Sequence, residues 1–232
     1  MPFSKKAIRH CVAIEAKNNG FNDEIFCGLR GNDLRNAKEE KRQFVYIDHS
    51  YFRRGWANQH FRACRNWIHQ TEIVSRKPDR LERFGIAVRP WRKTGLKIAV
   101  IPNTEWQQRL FDDNDWVKKT VKRLKEITDR PVEVRGKDHV VPFLQYLQDV
   151  WAVVTWGSVA GVEAALHGVP VFAEPTCPAH PVSAGPLEKI ETPEYAENRH
   201  EWACSLTYAS WHWSELDKIE WKDYWYSLRG TA

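Results

Sequence analysis

No stretch of this 232-residue chain approaches the roughly 20 consecutive apolar residues that a bilayer-spanning helix requires, so no membrane span is expected. The opening Met-Pro-Phe-Ser-Lys-Lys runs into Arg9 and His10 rather than a clean apolar core, and no signal peptide is read there. Cysteine is scarce and scattered. Cys11, Cys27, Cys64, Cys177 and Cys204 form no close pair with metal-ligand spacing, and their odd number suits reduced thiols in a cytoplasmic compartment. Internal repeats and low-complexity tracts are missing too, which excludes solenoids and compositionally driven disorder.

What is present is the composition of a folded globular protein, with 42% hydrophobic and 28% charged residues. Tryptophan is abundant at twelve residues. Trp202, Trp211, Trp213, Trp221 and Trp225 fall late, and a pair of Trp-rich helices over 201–232, packing back on the core, accounts for them without a ligand. Charge is uneven. Between Tyr51 and Lys97 there are twelve basic residues against three acidic ones, mostly arginines, within a chain whose net charge is +5. Such a block creates a positive field able to collect a polyanion, and Arg53, Arg54, Arg62 and Arg65 are its candidate nucleic-acid contacts. A solvated basic face with no specific partner is the plainer alternative.

Periodicity divides the chain in two. The first part has apolar runs at Ile8–Ile14 and Ile25–Leu29, a charged helical segment through Arg42, and a strand pattern at Phe44–Ile47 that ends on Asp48-His49-Ser50. Helical potential follows around Asn58–Gln70, and then a looser Pro- and Arg-containing stretch. A second set opens with a strand at Lys97–Ile101. It continues with a helix from about Asp115 to Thr128 that gathers Val117, Val121 and Leu124 on one face. Strand-like Val132–Arg135 and a short helix at Phe143–Asp149 come next. Strands alternating with helices predict an α/β protein of two small Rossmann-like lobes with parallel sheets. The expected organisation is 1–93 as an acceptor-side lobe, 94–200 as a nucleotide-binding lobe, and 201–232 as the C-terminal helices.

One segment states a chemistry. From Trp151 the chain reads as a strand, breaks at Gly157-Ser158, continues as a helix, and stops at Gly168 before a second apolar run, Val169–Ala173. Ser158 occupies the expected N-cap and Gly168 the expected C-terminal stop. A strand, Gly-Ser turn and helix in that order aim backbone N–H groups and a positive dipole end at a phosphate. An ordinary βαβ unit of an α/β core has the same pattern. Ligands in such folds bind outside the strand carboxyl ends. That rule selects Asp48 and His49, Pro102 and Asn103, Arg135 and Lys137, Trp156 to Ser158, and Glu174.

The run Thr155-Trp-Gly-Ser158-Val-Ala-Gly-Val-Glu163-Ala-Ala-Leu-His-Gly168-Val-Pro170 resembles the donor-site motif of GT-B glycosyltransferases, in the form seen in capsule-type, Kdo- and sialyltransferase-like proteins. Tyr46-Ile-Asp48-His49-Ser-Tyr51-Phe and Pro90-Trp91-Arg-Lys-Thr-Gly95 look similar to segments of compact phage-encoded glycosyltransferases. The match covers about twenty residues. The chain is short for such an enzyme, and Arg135-Gly-Lys137-Asp138-His139 stands where the family has a His-Pro pair. The resemblance implies a compact GT-B-like enzyme moving a sugar from a nucleotide-sugar, most simply a UDP-sugar, with no other cofactor and no metal. Gly157 and Ser158 would then hold the donor phosphates, with Trp156 beside them, and Glu163 would hold the ribose. Arg135 and Lys137 are proposed for the diphosphate, Asp48 as the general base with His49 competing, and His139 and Glu174 as further candidates. The expected acceptor is a hydroxymethylated pyrimidine in phage DNA, in the host cytoplasm. A surface polysaccharide or lipid-linked glycan is one alternative. A non-catalytic nucleic-acid-binding protein with a Rossmann-like core is another.

Overall fold

A computed structural model describes residues 24–28, 33–52, 59–112 and 114–215. In chain order the elements are β1 (Glu24–Cys27), α1 (Asp33–Glu39), β2 (Phe44–His49), β3 (His60–Arg65), α2 (Asp79–Phe84), β4 (Lys97–Ile101), α3 (Glu105–Phe111) and α4 (Trp116–Ile127). They continue with β5 (Val132–Val134), α5 (Phe143–Tyr146) and its 3-10 extension Leu147–Asp149, β6 (Val150–Thr155), α6 (Ala160–Leu166) and β7 (Val171–Ala173). Helix α7 (Arg199–Tyr208) and strand β8 (Ser210–His212) complete the set. The apolar run at Ile8–Ile14, Arg53, Arg54, Trp221 and Trp225 lie outside the described residues. Among the described residues no helix is long and apolar enough to cross a membrane.

The protein is α/β, with one mixed and one all-parallel sheet in two compact units. The first unit comprises the chain to Gln70, Arg76–Phe84, and everything from Cys204 on; the second comprises Thr71–Ser75 and Gly85–Ala203. Residues 85–93 therefore belong to the second unit rather than to the expected 1–93 lobe. Of the late segment, the described part includes β8, which joins the first unit's sheet.

In the first unit the strand order is β1-β2-β3-β8. Phe44, Val45, Tyr46 and Ile47 are all buried, as a central strand covered on both faces demands. Strand β1 runs parallel to β2, but β3 is antiparallel to both β2 and β8, so this sheet is not the expected parallel one. The helix expected around Asn58–Gln70 is β3 instead. Phe61, Cys64 and Ile68 have helical spacing, yet Phe61 and Ala63 alternate with Arg62 and Cys64, and the neighbours on either side supply a ladder. Gln59 and Asn66, both with φ near +56° to +57°, bracket the strand. Asn66 pins its end by accepting from Phe44 N through Oδ1 at 3.1 Å. Trp211 lies on β8 and Trp213 on a 3-10 turn, where helices were expected.

The second unit's sheet has the order β5-β4-β6-β7, all parallel. Parallel neighbours need crossover connections, and helices α3 and α4, then α5, then α6 supply them. The core is Ile98, Val100, Leu124, Ala152, Val154 and Phe172, with Val117 and Val121 of α4 packed against it, the face expected from the sequence. The β4 and β5 boundaries follow the sequence closely because Pro102 and Pro131 bound their apolar runs, while α3 is a helix the sequence pattern does not predict. Thr104 heads α3 in a capping box with Gln107, and Thr128 closes α4.

Candidate functional site at the carboxyl edge of the parallel sheet

Strands β4 and β6 are neighbours, but the chain leaves β4 toward β5 and leaves β6 toward β7. Their carboxyl ends thus flank a topological switch point, where open α/β sheets bind ligands. Asn103 follows β4, Arg135 follows β5, Trp156-Gly157-Ser158 follows β6 and Glu174 follows β7. The structure brings all of these sequence-selected residues to one edge of one sheet.

The Gly-Ser turn at this edge is already internally bonded. Gly157 N donates to Asn103 Oδ1 at 3.0 Å, and Gly157 O accepts from Gln107 Nε2 at 3.2 Å. Ser158 N donates to Thr155 Oγ1 at 3.3 Å, and Ala160 N to Ser158 Oγ at 3.3 Å. The helix N-cap by backbone geometry is Val159, one residue beyond the expected Ser158. The backbone donors assigned to phosphate by sequence pattern are therefore largely spent, Gly157 N on the β4 loop, Ser158 N on β6 and Ala160 N within the turn. Gly157 itself has no positive φ, and a Cβ there would meet Asn103 and Phe111 only at ordinary distances of 3.5 Å. Gly161 is the tighter position, since a Cβ would lie 3.2 Å from Thr155 Cγ2 and 3.3 Å from Ala179 Cβ. It lets α6 press onto β6.

Trp156 stacks on Phe111, with ring centroids 5.1 Å apart at 18°, and tilts against Trp116 at 6.1 Å. Beside this aromatic row opens a cavity of about 500 Å³ whose lining includes Trp116, Val154, Phe172, Glu174 and His180. Glu174 is exposed and accepts from Trp116 Nε1 at 3.4 Å. Glu163 is half-buried in the first turn of α6.

Arg135 is 7% exposed. Its guanidinium stacks 4.2 Å above the Tyr146 ring, and Nη2 donates to Val141 O at 2.6 Å, while Nη1 is buried without a partner among the described residues. Asn103 Nδ2 is likewise buried without a partner. Lys137 is exposed, and His139 lies 3.3 Å from Glu133 through Nε2. The unpartnered amide of Asn103 is the feature sequence reasoning could not weigh: the residue is visible at a strand end, its spare donor only in three dimensions.

In the first unit, Asp48 and His49 lie inside β2, not beyond its end. The Asp48 carboxylate accepts from Tyr46 Oη and from His49 N, each at 2.8 Å, and sits 3.6 Å from Arg62 Nη2. Burial alone raises its pKa, but Arg62, with the His49 N–H and Tyr46 hydroxyl, outweighs this and holds it below the usual carboxylate value. These bonds give Asp48 a structural role and make it a weaker proton acceptor. Arg62 is not a surface cation. It is 5% exposed, donates to Ile68 O at 3.1 Å and to His49 O, and lies under Tyr46 and Tyr51. Of the four arginines expected to meet nucleic acid, Arg65 is half-buried and Arg53 and Arg54 lie outside the described residues. The positive block is thus partly internal, since Arg80 is also 2% exposed.

Replacing Asp48 by Asn is expected to lower stability by about 2–3 kcal/mol, because Arg62 is left buried without a counter-charge. A folded pKa below the unfolded one means that this contribution is present above the ordinary Asp value and is lost as pH falls through the folded value. Urea midpoints of both proteins at pH 7 and in acid measure it: the gap between them closes in acid.

No protein-family model matches this chain, and no curated protein matches it. Among the described residues no cluster of His, Cys, Asp and Glu could hold a metal ion.

Proposed function

We propose that the protein is a nucleotide-sugar-dependent glycosyltransferase that takes its donor at the carboxyl edge of the parallel sheet. The observation that carries this reading is a pair of buried hydrogen-bond donors with nothing to donate to: Asn103 Nδ2 after β4 and Arg135 Nη1 after β5. A buried unsatisfied donor costs about 1–3 kcal/mol, and such groups persist where a ligand completes them. Both are donors and one is cationic, so the partner they call for is an anionic oxygen, as a diphosphate supplies. Exposed Lys137 adds charge, Trp156 follows β6 at this edge, and Glu163, in the first turn of α6, is the proposed ribose contact.

The acceptor hydroxyl attacks the anomeric carbon, the bond to the diphosphate breaks, and a general base takes the hydroxyl proton, the role for which Asp48 and His49 are the candidates from sequence. The lowered pKa of Asp48 makes this task harder. A hydroxymethylated pyrimidine of DNA is the proposed acceptor, on the likeness of the motif and the basic segment.

Incubating the protein with hydroxymethylated and plain DNA and UDP-, GDP- and CMP-sugars, followed by nucleoside mass spectrometry, tests the whole reading. One added sugar on the modified base is expected. Turnover of donor without a DNA product points to a glycan acceptor. Arg135→Met, which keeps an apolar chain over Tyr146, is expected to weaken nucleotide-sugar binding by about 10- to 100-fold. Unchanged binding removes the diphosphate assignment. A second reading, a nucleic-acid-binding protein without catalysis, is favoured by the self-bonded Gly-Ser turn. Salt-sensitive DNA binding with no mass shift for any donor would select it.

A further inference from the structure

We infer that the cavity beside α4 is a nucleobase pocket selective for guanine, an inference that rests on the nucleotide-binding reading above. The cavity, about 500 Å³, has room for a base and part of a ribose. Val154 and Phe172 give it an apolar wall and Trp116 an aromatic one, which suits a flat heterocycle. Its polar groups are few. Ser183 Oγ is spent, accepting from Ala173 N at 3.1 Å and donating to Val171 O at 3.2 Å. His180 Nδ1 is held 2.9 Å from Ala173 O, a carbonyl that only accepts, so the proton sits on Nδ1.

Beside the acceptor Nε2 of His180 and the Thr120 hydroxyl, Glu174 is the charged group with capacity to spare. Its one partner among the described residues is the Trp116 indole at 3.4 Å, the long end of hydrogen bonding. A carboxylate only accepts, and its two oxygens lie side by side. The pairing edge of guanine offers N1–H and the 2-amino group at matching spacing. Uracil offers one N–H flanked by two carbonyls, and adenine and cytosine each set an amino group beside a ring lone pair. Those neighbouring acceptors repel a carboxylate, so Glu174 favours guanine over all three.

Equilibrium dialysis of the full chain with GDP, UDP, ADP, CDP and guanosine tests this. GDP is expected to bind at least about tenfold tighter than UDP, as two charge-assisted hydrogen bonds imply. Glu174→Gln, a change at an exposed position, is expected to abolish that preference by weakening GDP and strengthening UDP, because the amide no longer repels the uracil carbonyls. Equal binding of GDP and UDP, with both weakened by Arg135→Met, overturns guanine selection and leaves the nucleotide reading standing. Guanosine binding as tightly as GDP and indifferent to Arg135→Met upholds the pocket and removes the phosphate assignment. No binding of any nucleotide to protein whose circular dichroism is native overturns both.

Discussion

Replacing Arg80 by Ala is expected to destabilise the first unit by about 3–5 kcal/mol, the range for removing one partner of a buried ion pair. Arg80 is 2% exposed and holds three pieces of chain at once. Nε donates to Thr207 O at 3.1 Å, Nη2 to Ser210 O at 2.6 Å, and Nη1 to Glu215 Oε1 at 2.8 Å. Its guanidinium also lies 3.8 Å over the Trp211 ring. Truncation takes the guanidinium from two carbonyls and from a carboxylate only 12% exposed, which keeps the His212 N–H and Arg83 at 3.6 Å. Arg80→Lys keeps the charge but not the planar fork, and is expected to recover part of the loss only. Burial raises the Glu215 pKa, but Arg80 and the His212 N–H outweigh it and hold the acid below its ordinary 4.5. The pair therefore stabilises above that ordinary value, and the contribution fades as pH falls through the folded one. Urea midpoints at pH 7 and in acid read both effects: wild type loses more stability in acid than Arg80→Ala does. Equal acid sensitivity of the two proteins would show that the pair contributes nothing.

Gly168→Ala is the second large effect, at about 3 kcal/mol or more. Gly168 has φ +78°, a conformation costing an L-residue roughly 1–2 kcal/mol. A Cβ there would fall 2.0 Å from Pro90 O, a backbone atom that cannot swing aside. The position closes α6 with a Schellman arrangement, Val169 N donating to Ala164 O at 3.0 Å and Gly168 N to Ala165 O at 3.1 Å. Leu166 O accepts from Arg89 N, Ala165 O also from Arg199 Nη1, and Gly168 O itself from Arg92 N. A Cβ forces all of this apart at the base of the helix that follows the Gly-Ser turn. Denaturant unfolding gives the loss. If the protein binds nucleotides as proposed, a binding measurement at a temperature where the variant stays folded is expected to show weakened affinity as well. A shift below about 1 kcal/mol would mean that the segment around Pro90 yields freely.

Much of the second unit is legible in the chain itself. Lys97–Ile101 is a strand from its first residue to its last, and the α4 face of Val117, Val121 and Leu124 packs as its spacing requires. Gly168 stops its helix as expected. These are local matters: an apolar run with clear ends, a 3.6-residue stripe, a position only glycine fills cheaply. The first unit is less legible, because β3 owes its form to β2 and β8, and β8 is about 150 residues further along the chain. A segment whose apolar residues suit both periods takes the one its neighbours can hydrogen-bond.

The candidate site divides the same way. Sequence alone determined which residues stand at the carboxyl ends of the parallel strands, since strands joined by helical crossovers follow from alternating apolar patterns, while the order of the strands comes from the structure. Only the tertiary structure decided what each is free to do. Gly157 and Ser158, the most telling pair on paper, are bonded to Asn103, Gln107 and Thr155. Arg62, one cation among twelve in its segment, is buried beside Asp48. Asn103 and Arg135 keep a buried donor apiece unspent. Residue type sets what a group can donate or accept, but whether a neighbour has already taken it depends on which distant strands lie alongside, and that is settled by packing.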